Sequence, residues 1–333
     1  NGRVYDPLTS QFLSPDPYIQ APDNWLNYNR YSYCYNNPLK YTDPDGEIAW
    51  FVPIIIGAAI FGTGNLTAHA IRGDVNSFGD GLKYFGQGAL AGAALGATWQ
   101  FAPLIPGIGQ GLQTGMTIYG KVHLAGTAVS TVSGLGQGIF GGDWSALGNA
   151  GEIFLGNFYL DENRSFFGRV WQGINRHTWE FPQTVLGHTW TQLRNTFGGV
   201  DRVDYFGGAT FATRENQDGR SGMSLGNFIN ISIWDEIQGD FDARVISDPL
   251  FMHEYGHSFD SQIFSISYLL TIGLPSLISA GTASQVAGEP FGVTTHDFRW
   301  YEMRANRHGA KYFNKYFGVD WTPYETMYPK RRR

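Results

Sequence analysis

Met252-His253-Glu254-Tyr255-Gly256-His257-Ser258 places two histidines four residues apart, with a glutamate directly after the first. On a helix, residues four apart share a face, so His253 and His257 offer two imidazole nitrogens to one metal ion. Zinc suits such a pair, because it takes histidine nitrogens at about 2.0–2.1 Å and keeps one position open in catalytic sites. Water at that open position loses its proton near neutral pH. Glu254 stands where it can take that proton. The chemistry expected of this set is hydrolysis, with a peptide carbonyl as electrophile.

A third ligand is needed, and Glu302 is the expected one. The stretch from about Asp297 to Tyr316 lacks Pro, is rich in long and aromatic residues and reads as a helix. Glu302 and Asn306 are four apart on it. Glu302 would complete a His, His, Glu set with the fourth position left for water, and Asn306 would hydrogen-bond a ligand and hold its orientation. Asp260 and His296 are the rivals for the third place. Neither matches the longer H-E-x-x-H-x-x-G-x-x-H pattern, since Asp260 stands at its Gly position and Ile263 at its third His. These residues resemble the zincin metallopeptidases whose third ligand is a Glu on a later helix in an E-x-x-x-D pattern, with Asn306 here in place of that Asp. The resemblance implies a zinc-dependent endopeptidase acting on protein or peptide substrates. Tyr255, Tyr268, His296 and Tyr301 are the candidates for stabilising an oxyanion.

The elements that must position these residues start near Leu160. Arg164 to His177 and Thr184 to Phe197 read as amphipathic helices, with Pro182 near the second start. Asp201 to Thr213 and Leu225 to Trp234 read as strands between Gly-rich turns. Asn227 to Ile233 is the expected sheet edge beside the metal helix. Asp248-Pro249 marks that helix's start, and the apolar run Ile266 to Ala280 is expected to form a buried helix cradling it, bent at Gly273 and Pro275.

The two parts of the chain before Leu160 are marked by composition. Residues 1–46 carry short Tyr-rich runs between turn formers: Asp6-Pro7, Asp16-Pro17, Asn37-Pro38, Asp43-Pro44 and Asp45-Gly46. They resemble the Rhs-repeat-associated core that closes the β-cocoon of Rhs and YD-repeat proteins. That resemblance implies an upstream cocoon, a C-terminal toxin, a cognate immunity protein, and candidate self-cleavage around Asp43, Asp45 and Gly46. From Ile48 charge vanishes until Arg72, and a second uncharged stretch follows Lys83, with Gly88, Gly92 and Gly96 at four-residue spacing. Such a small-residue ridge lets helices approach closely, in membranes above all.

The 333 residues carry only 16% charged side chains, 44 Gly and a net charge of -6. That balance gives no sign of nucleic-acid binding, and no nucleic-acid partner is expected. One cysteine, Cys34, excludes an internal disulfide and a Cys-ligated zinc. The chain starts without Met or a signal-peptide pattern and reads as a piece of something longer. The expectation is therefore an α+β chain in three parts. Residues 1–46 form the core fragment, residues 47–159 a Gly/Ala-rich, largely helical hydrophobic linker or translocation region, and residues 160–333 a zincin-like metallopeptidase toxin domain. The toxin would be secreted or delivered into a target cell by a bacterial export system, in competition between bacteria. The alternatives are a membrane-perforating toxin acting through residues 48–142 and a non-enzymatic interaction protein with a zincin fold.

Overall fold

A computed structural model describes residues 3–16, 28–36, 52–102, 105–107 and 109–332. The candidate self-cleavage residues Asp43, Asp45 and Gly46 lie outside the described residues.

Near the start, β1 (Tyr5–Asp6) pairs antiparallel with β2 (Gln11–Phe12), and the Tyr5, Phe12 and Tyr33 rings pack together. Asp6 accepts hydrogen bonds from Leu8 N (3.0 Å) and Thr9 Oγ1 (2.8 Å), which is a turn-capping role.

The uncharged stretches form long helices. They are α1 (Val52–Arg72), α2 (Phe78–Phe101) and α3 (Gly109–Gly141). Ser77 caps α2, its hydroxyl accepting from Asp80 N at 3.1 Å. The glycine ridge explains the pairing of α1 with α2. A Cβ on Gly88 would lie 2.2 Å from Phe61 O, and one on Gly96 would lie 2.2 Å from Pro53 O. Only glycine lets these backbones touch. Among the described residues α1 is the helix long and apolar enough to cross a membrane, yet its C-terminal end is built into the rest of the molecule. Arg72 hydrogen-bonds Tyr205 O and pairs with Asp242 (2.6 Å) and Glu162 (3.1 Å), and Asn65 Oδ1 accepts from Leu160 N at 3.1 Å.

After α4 (Ser145–Leu155), α5 (Phe166–His177) and α6 (Phe181–Thr196) comes a four-stranded sheet. Its strands are β3 (Arg202–Phe206), β4 (Ala209–Arg214), β5 (Ser221–Leu225) and β6 (Phe228–Ser232), in the order β3-β4-β6-β5. Pairing is antiparallel except between β4 and β6, which run parallel. The stretch expected as one strand over Asp201 to Thr213 is a hairpin. Gly207 and Gly208 both have positive φ, +57° and +80°, the geometry of a two-residue hairpin loop. A second difference follows from the order. β6 is an inner strand, and the edges are β3 and β5.

Both faces of the sheet are covered. One face packs Phe206, Phe211, Ile229 and Ile231 on α7 (Phe241–Ser247), α8 (Pro249–Phe264) and α10 (Trp300–Phe317). The other packs Val203, Tyr205, Ala212 and Phe228 against Ala68 of α1, Ile153 of α4 and Tyr159. The latter core runs across the expected boundary near residue 160, so α1 and α4 pack on the sheet that carries the site. The Ile266 to Ala280 run begins with a 3-10 turn at Ser265–Ser267. It continues through a π-helical turn at Leu269–Gly273 into α9 (Leu274–Gly281). It is not a buried helix: Leu270, Leu274, Leu277 and Ile278 are exposed.

Candidate metal centre

Helix α8 carries the two histidines. Asp248 caps it, accepting from Leu250 N at 3.0 Å, and Pro249 occupies its first turn, where the missing N–H costs nothing. Arg244 (3.1 Å) and Arg220 pair with the Asp248 carboxylate and hold the cap in place. Helix α10 carries Glu302 and Asn306 and ends at Gly318 in the left-handed region, φ +69°. The two helices touch backbone to backbone. A Cβ on Gly256 would lie 2.1 Å from Ala305 O, and one on Gly309 would lie 2.5 Å from Met252 O. Gly256 is one of the two middle residues of the HEYGH motif. Its missing side chain lets α10 come close enough to deliver Glu302.

Among the described residues, His253, His257 and Glu302 form a buried group whose donor atoms lie within 4.8 Å of one another. Glu302 Oε2 is 3.2 Å from His253 Nε2 and 3.1 Å from His257 Nε2. Asn306 sets the first ring. Its Nδ2 donates to Pro329 O at 2.8 Å, so its Oδ1 faces His253 Nδ1 at 2.7 Å. Nδ1 must then carry a proton, which makes Nε2 the ring nitrogen free to offer its lone pair to a metal in place of its own proton. An amide fixed in this way orients the ring as a carboxylate would, without the charge.

The electrostatics are those of a tightly coupled buried set. Burial disfavours a proton on His253 and on His257, but the Glu302 carboxylate outweighs it. The His253 pKa is raised, and that of His257 lies well above the usual histidine value. Burial likewise opposes ionisation of Glu302, but the His257 charge and the hydrogen bonds from both rings hold its pKa well below the usual range. Two imidazole Nε2 atoms and a carboxylate oxygen, buried and convergent, are a donor set suited to zinc. In chemical type the residues present fit a divalent ion.

Neither rival takes the third place. Asp260 Oδ2 lies 3.7 Å from His257 Nδ1, the ring nitrogen not directed at Glu302, and Asp260 is itself held by Arg304 Nε at 2.6 Å. His296 turns Nδ1 to Ser279 Oγ at 2.6 Å, with Nε2 3.5 Å from Glu302 Oε1. The three tyrosines considered for an oxyanion have their hydroxyls engaged elsewhere. Tyr255 donates to Gly207 O and Tyr268 to Ser224 O, and the Tyr301 hydroxyl lies 3.0 Å from Pro275 O and 2.9 Å from Ser279 Oγ.

No protein-family model matches the chain, and no solved structure matches it. The curated proteins that match are tRNA nucleases. The tRNA(Glu)-specific nuclease WapA of Bacillus subtilis subsp. natto is 41% identical over 59 residues, 18% of this chain and 2% of that protein. The tRNA nuclease WapA of Bacillus subtilis strain 168 and the tRNA3(Ser)-specific nuclease WapA of Bacillus spizizenii are each 42% identical over 50 residues, 15% of this chain and 2% of theirs. The chain thus spans about 2% of the length of these relatives. Two expectations fall here. Identification as an Rhs-repeat-associated core followed by a zincin-like metallopeptidase finds no matching family, and the relatives carry the names of nucleases, not peptidases. H-E-x-x-H describes a ligand arrangement on one helix face and says nothing by itself of which bond is cut, which is why the motif misled on substrate.

Two supporting residues escape a reading of the sequence. Ser224 on β5 donates toward Glu254, 2.6 Å from Oε2 and 2.8 Å from the backbone carbonyl. Ser276 on α9 donates to Glu302 Oε1 at 2.6 Å. Lone serines in weakly polar runs carry no spacing signal, although Ser276 in a largely apolar helix is the sort of polar intrusion that needs a partner.

Proposed function

We propose that this chain is the effector-bearing part of a toxin-like protein, delivered into a target cell, and that its effector is a metal-dependent hydrolase centred on His253, His257 and Glu302. The observation that carries the reading is the convergence of those three buried ligands, with Glu254 in the next position of the same helix. The segment shared with the WapA tRNA nucleases supports the toxin-like role and makes tRNA the first substrate to test. A divalent ion bound here would polarise water and offset negative charge developing on the substrate.

The chain's own residues supply the rest. Asn306 orients His253, Asp260 stands behind His257, and Ser276 restrains the Glu302 carboxylate. Glu254 is the base. The Ser224 hydroxyl beside Oε2 restrains it, and Gly222 leaves room for Oε1, from which a Cβ would lie 2.3 Å. The buried surroundings keep bulk water from competing for these groups.

The test uses the full chain, its bound metal measured by elemental analysis and its activity scored on tRNA and by killing inside a sensitive host. Glu254→Gln should keep the metal and lose about 10²–10⁴-fold in turnover, and His257→Ala should lose both. Killing by Glu254→Gln at the wild-type rate would place the lethal activity elsewhere. Wild-type protein that holds metal and kills but leaves tRNA intact would remove tRNA as the substrate and keep the centre.

A further inference from the structure

Charge is distributed unevenly along the chain. Residues 304–333 hold eight of its 23 Lys and Arg but only two of its 29 Asp and Glu, although the net charge of the whole is -6. The remainder is strongly acidic and repels a polyanion, so a polyanion has one region to settle on. The whole-chain balance hides that region.

The fold gathers its basic residues on one surface. Arg307, Lys311 and Lys315 recur every four residues on α10 and are all exposed, on the outer face of the helix that carries Glu302. The segment Tyr328–Arg332 adds to them. Tyr328 O accepts from Trp321 Nε1 at 3.0 Å, Pro329 O from Asn306 Nδ2 at 2.8 Å and Lys330 O from Arg307 Nη1 at 2.7 Å. Three successive carbonyls are thus fixed, and the segment becomes a strap across α10. It starts at the metal centre, where the Tyr328 ring lies 5.5 Å from that of His253. It ends on the outer face, with Arg331 and Arg332 exposed next to the Arg307 contact.

Carboxylates do not neutralise this surface. Arg304 is taken by Asp260 and Lys330 by Glu325, while Asp320 accepts from Thr322. Among the described residues, Arg307, Lys311, Lys315, Arg331 and Arg332 have no carboxylate partner. Like charges held this close repel one another, and a bound anion relieves the repulsion.

We propose that this surface holds the phosphodiester backbone of a nucleic-acid strand, which reaches the metal centre along the strap. The inference rests on the hydrolase reading above, with tRNA as the substrate under test. The three arginines would take phosphate oxygens in pairs, and Lys311 and Lys315 would act as point charges. Contacts of this kind position a strand without reading its sequence.

The test measures binding apart from cleavage. Fluorescence anisotropy follows labelled tRNA titrated with the full chain carrying Glu254→Gln, between about 50 and 200 mM salt. Each phosphate contact adds about 0.7–0.9 to the fall of log affinity with log salt. Lys311→Gln combined with Arg331→Gln should therefore lower that slope by about 1.4–1.8. Neither side chain bonds another described residue, so metal content and the circular dichroism spectrum should stay unchanged. Lys121→Gln, exposed on α3, is the control and should leave the slope as it was. An unchanged slope in the double variant, or tighter binding to phosphatidylserine vesicles than to tRNA, would overturn the proposal. Wild-type cleavage of tRNA with no change of slope would remove this surface and keep the hydrolase. A lowered slope without any cleavage would keep the surface and remove tRNA hydrolysis.

Discussion

Gly256→Ala puts the helix contact behind the metal centre to a direct test. The new Cβ would stand 2.1 Å from Ala305 O and 2.7 Å from Ala305 C. Reaching an ordinary contact of about 3.5 Å requires α8 and α10 to separate by more than about 1 Å, because the obstacle is backbone and cannot rotate away. Metal–ligand distances tolerate about 0.2 Å, so the shift removes Glu302 from the reach of a metal held by His253 and His257. Stability is a balance of opposed effects. Alanine gains about 1 kcal/mol of helix propensity over glycine, while overpacking costs about 1–3 kcal/mol. Backbone contact puts the cost at the upper end, so a net loss of about 1–2 kcal/mol is expected. Gly151 on α4 is the control, since a Cβ there meets nothing within 4 Å. Gly151→Ala should stabilise by up to about 1 kcal/mol from propensity alone. Zinc binding by calorimetry and chemical denaturation, run on both variants, separate the terms. Gly256→Ala binding zinc at wild-type affinity with an unchanged midpoint would refute the close-approach argument.

Asn306→Ala should free the His253 ring and weaken metal affinity about 10–100-fold, and Asn306→Asp should restore most of it; competition with a metal-sensitive dye measures both. Burial at Glu180 raises its pKa from 4.5 to about 7, against the opposing pull of Arg176. A carboxyl raised on folding contributes stability that is full below pH 4.5 and is lost as pH rises through about 7. Urea midpoints from pH 4.5 to 8 should therefore decline by the equivalent of about 3 kcal/mol from this group. Glu180→Gln should flatten that decline, and an identical slope in the variant would count against it. Gly207→Val should destabilise the β3–β4 hairpin by more than about 1 kcal/mol. A β-branched residue strains at φ +57°, and its Cβ would stand 2.6 Å from the Tyr255 hydroxyl; thermal unfolding measures it.

What the sequence determined by itself is what depends on near neighbours along the chain. Four-residue spacing puts His253 and His257 on one helical face, and Asp248-Pro249 starts that helix, since a cap and a fixed φ act within one turn. The charge-free runs after Ile48 and Lys83 make helices, and Gly88, Gly92 and Gly96 mark the face on which α2 packs. The Gly207-Gly208 turn was equally local, and the long β-rich run around it hid it. Only the tertiary structure decided the rest. Glu302 meets the histidines across 45 residues because Gly256 and Gly309 let two helix backbones touch. Ser224 reaches Glu254 because β5, not β6, is an edge strand of the sheet. Each of these rests on contacts between residues far apart in sequence, whose cost and reward are set by packing and leave no periodic trace in the chain.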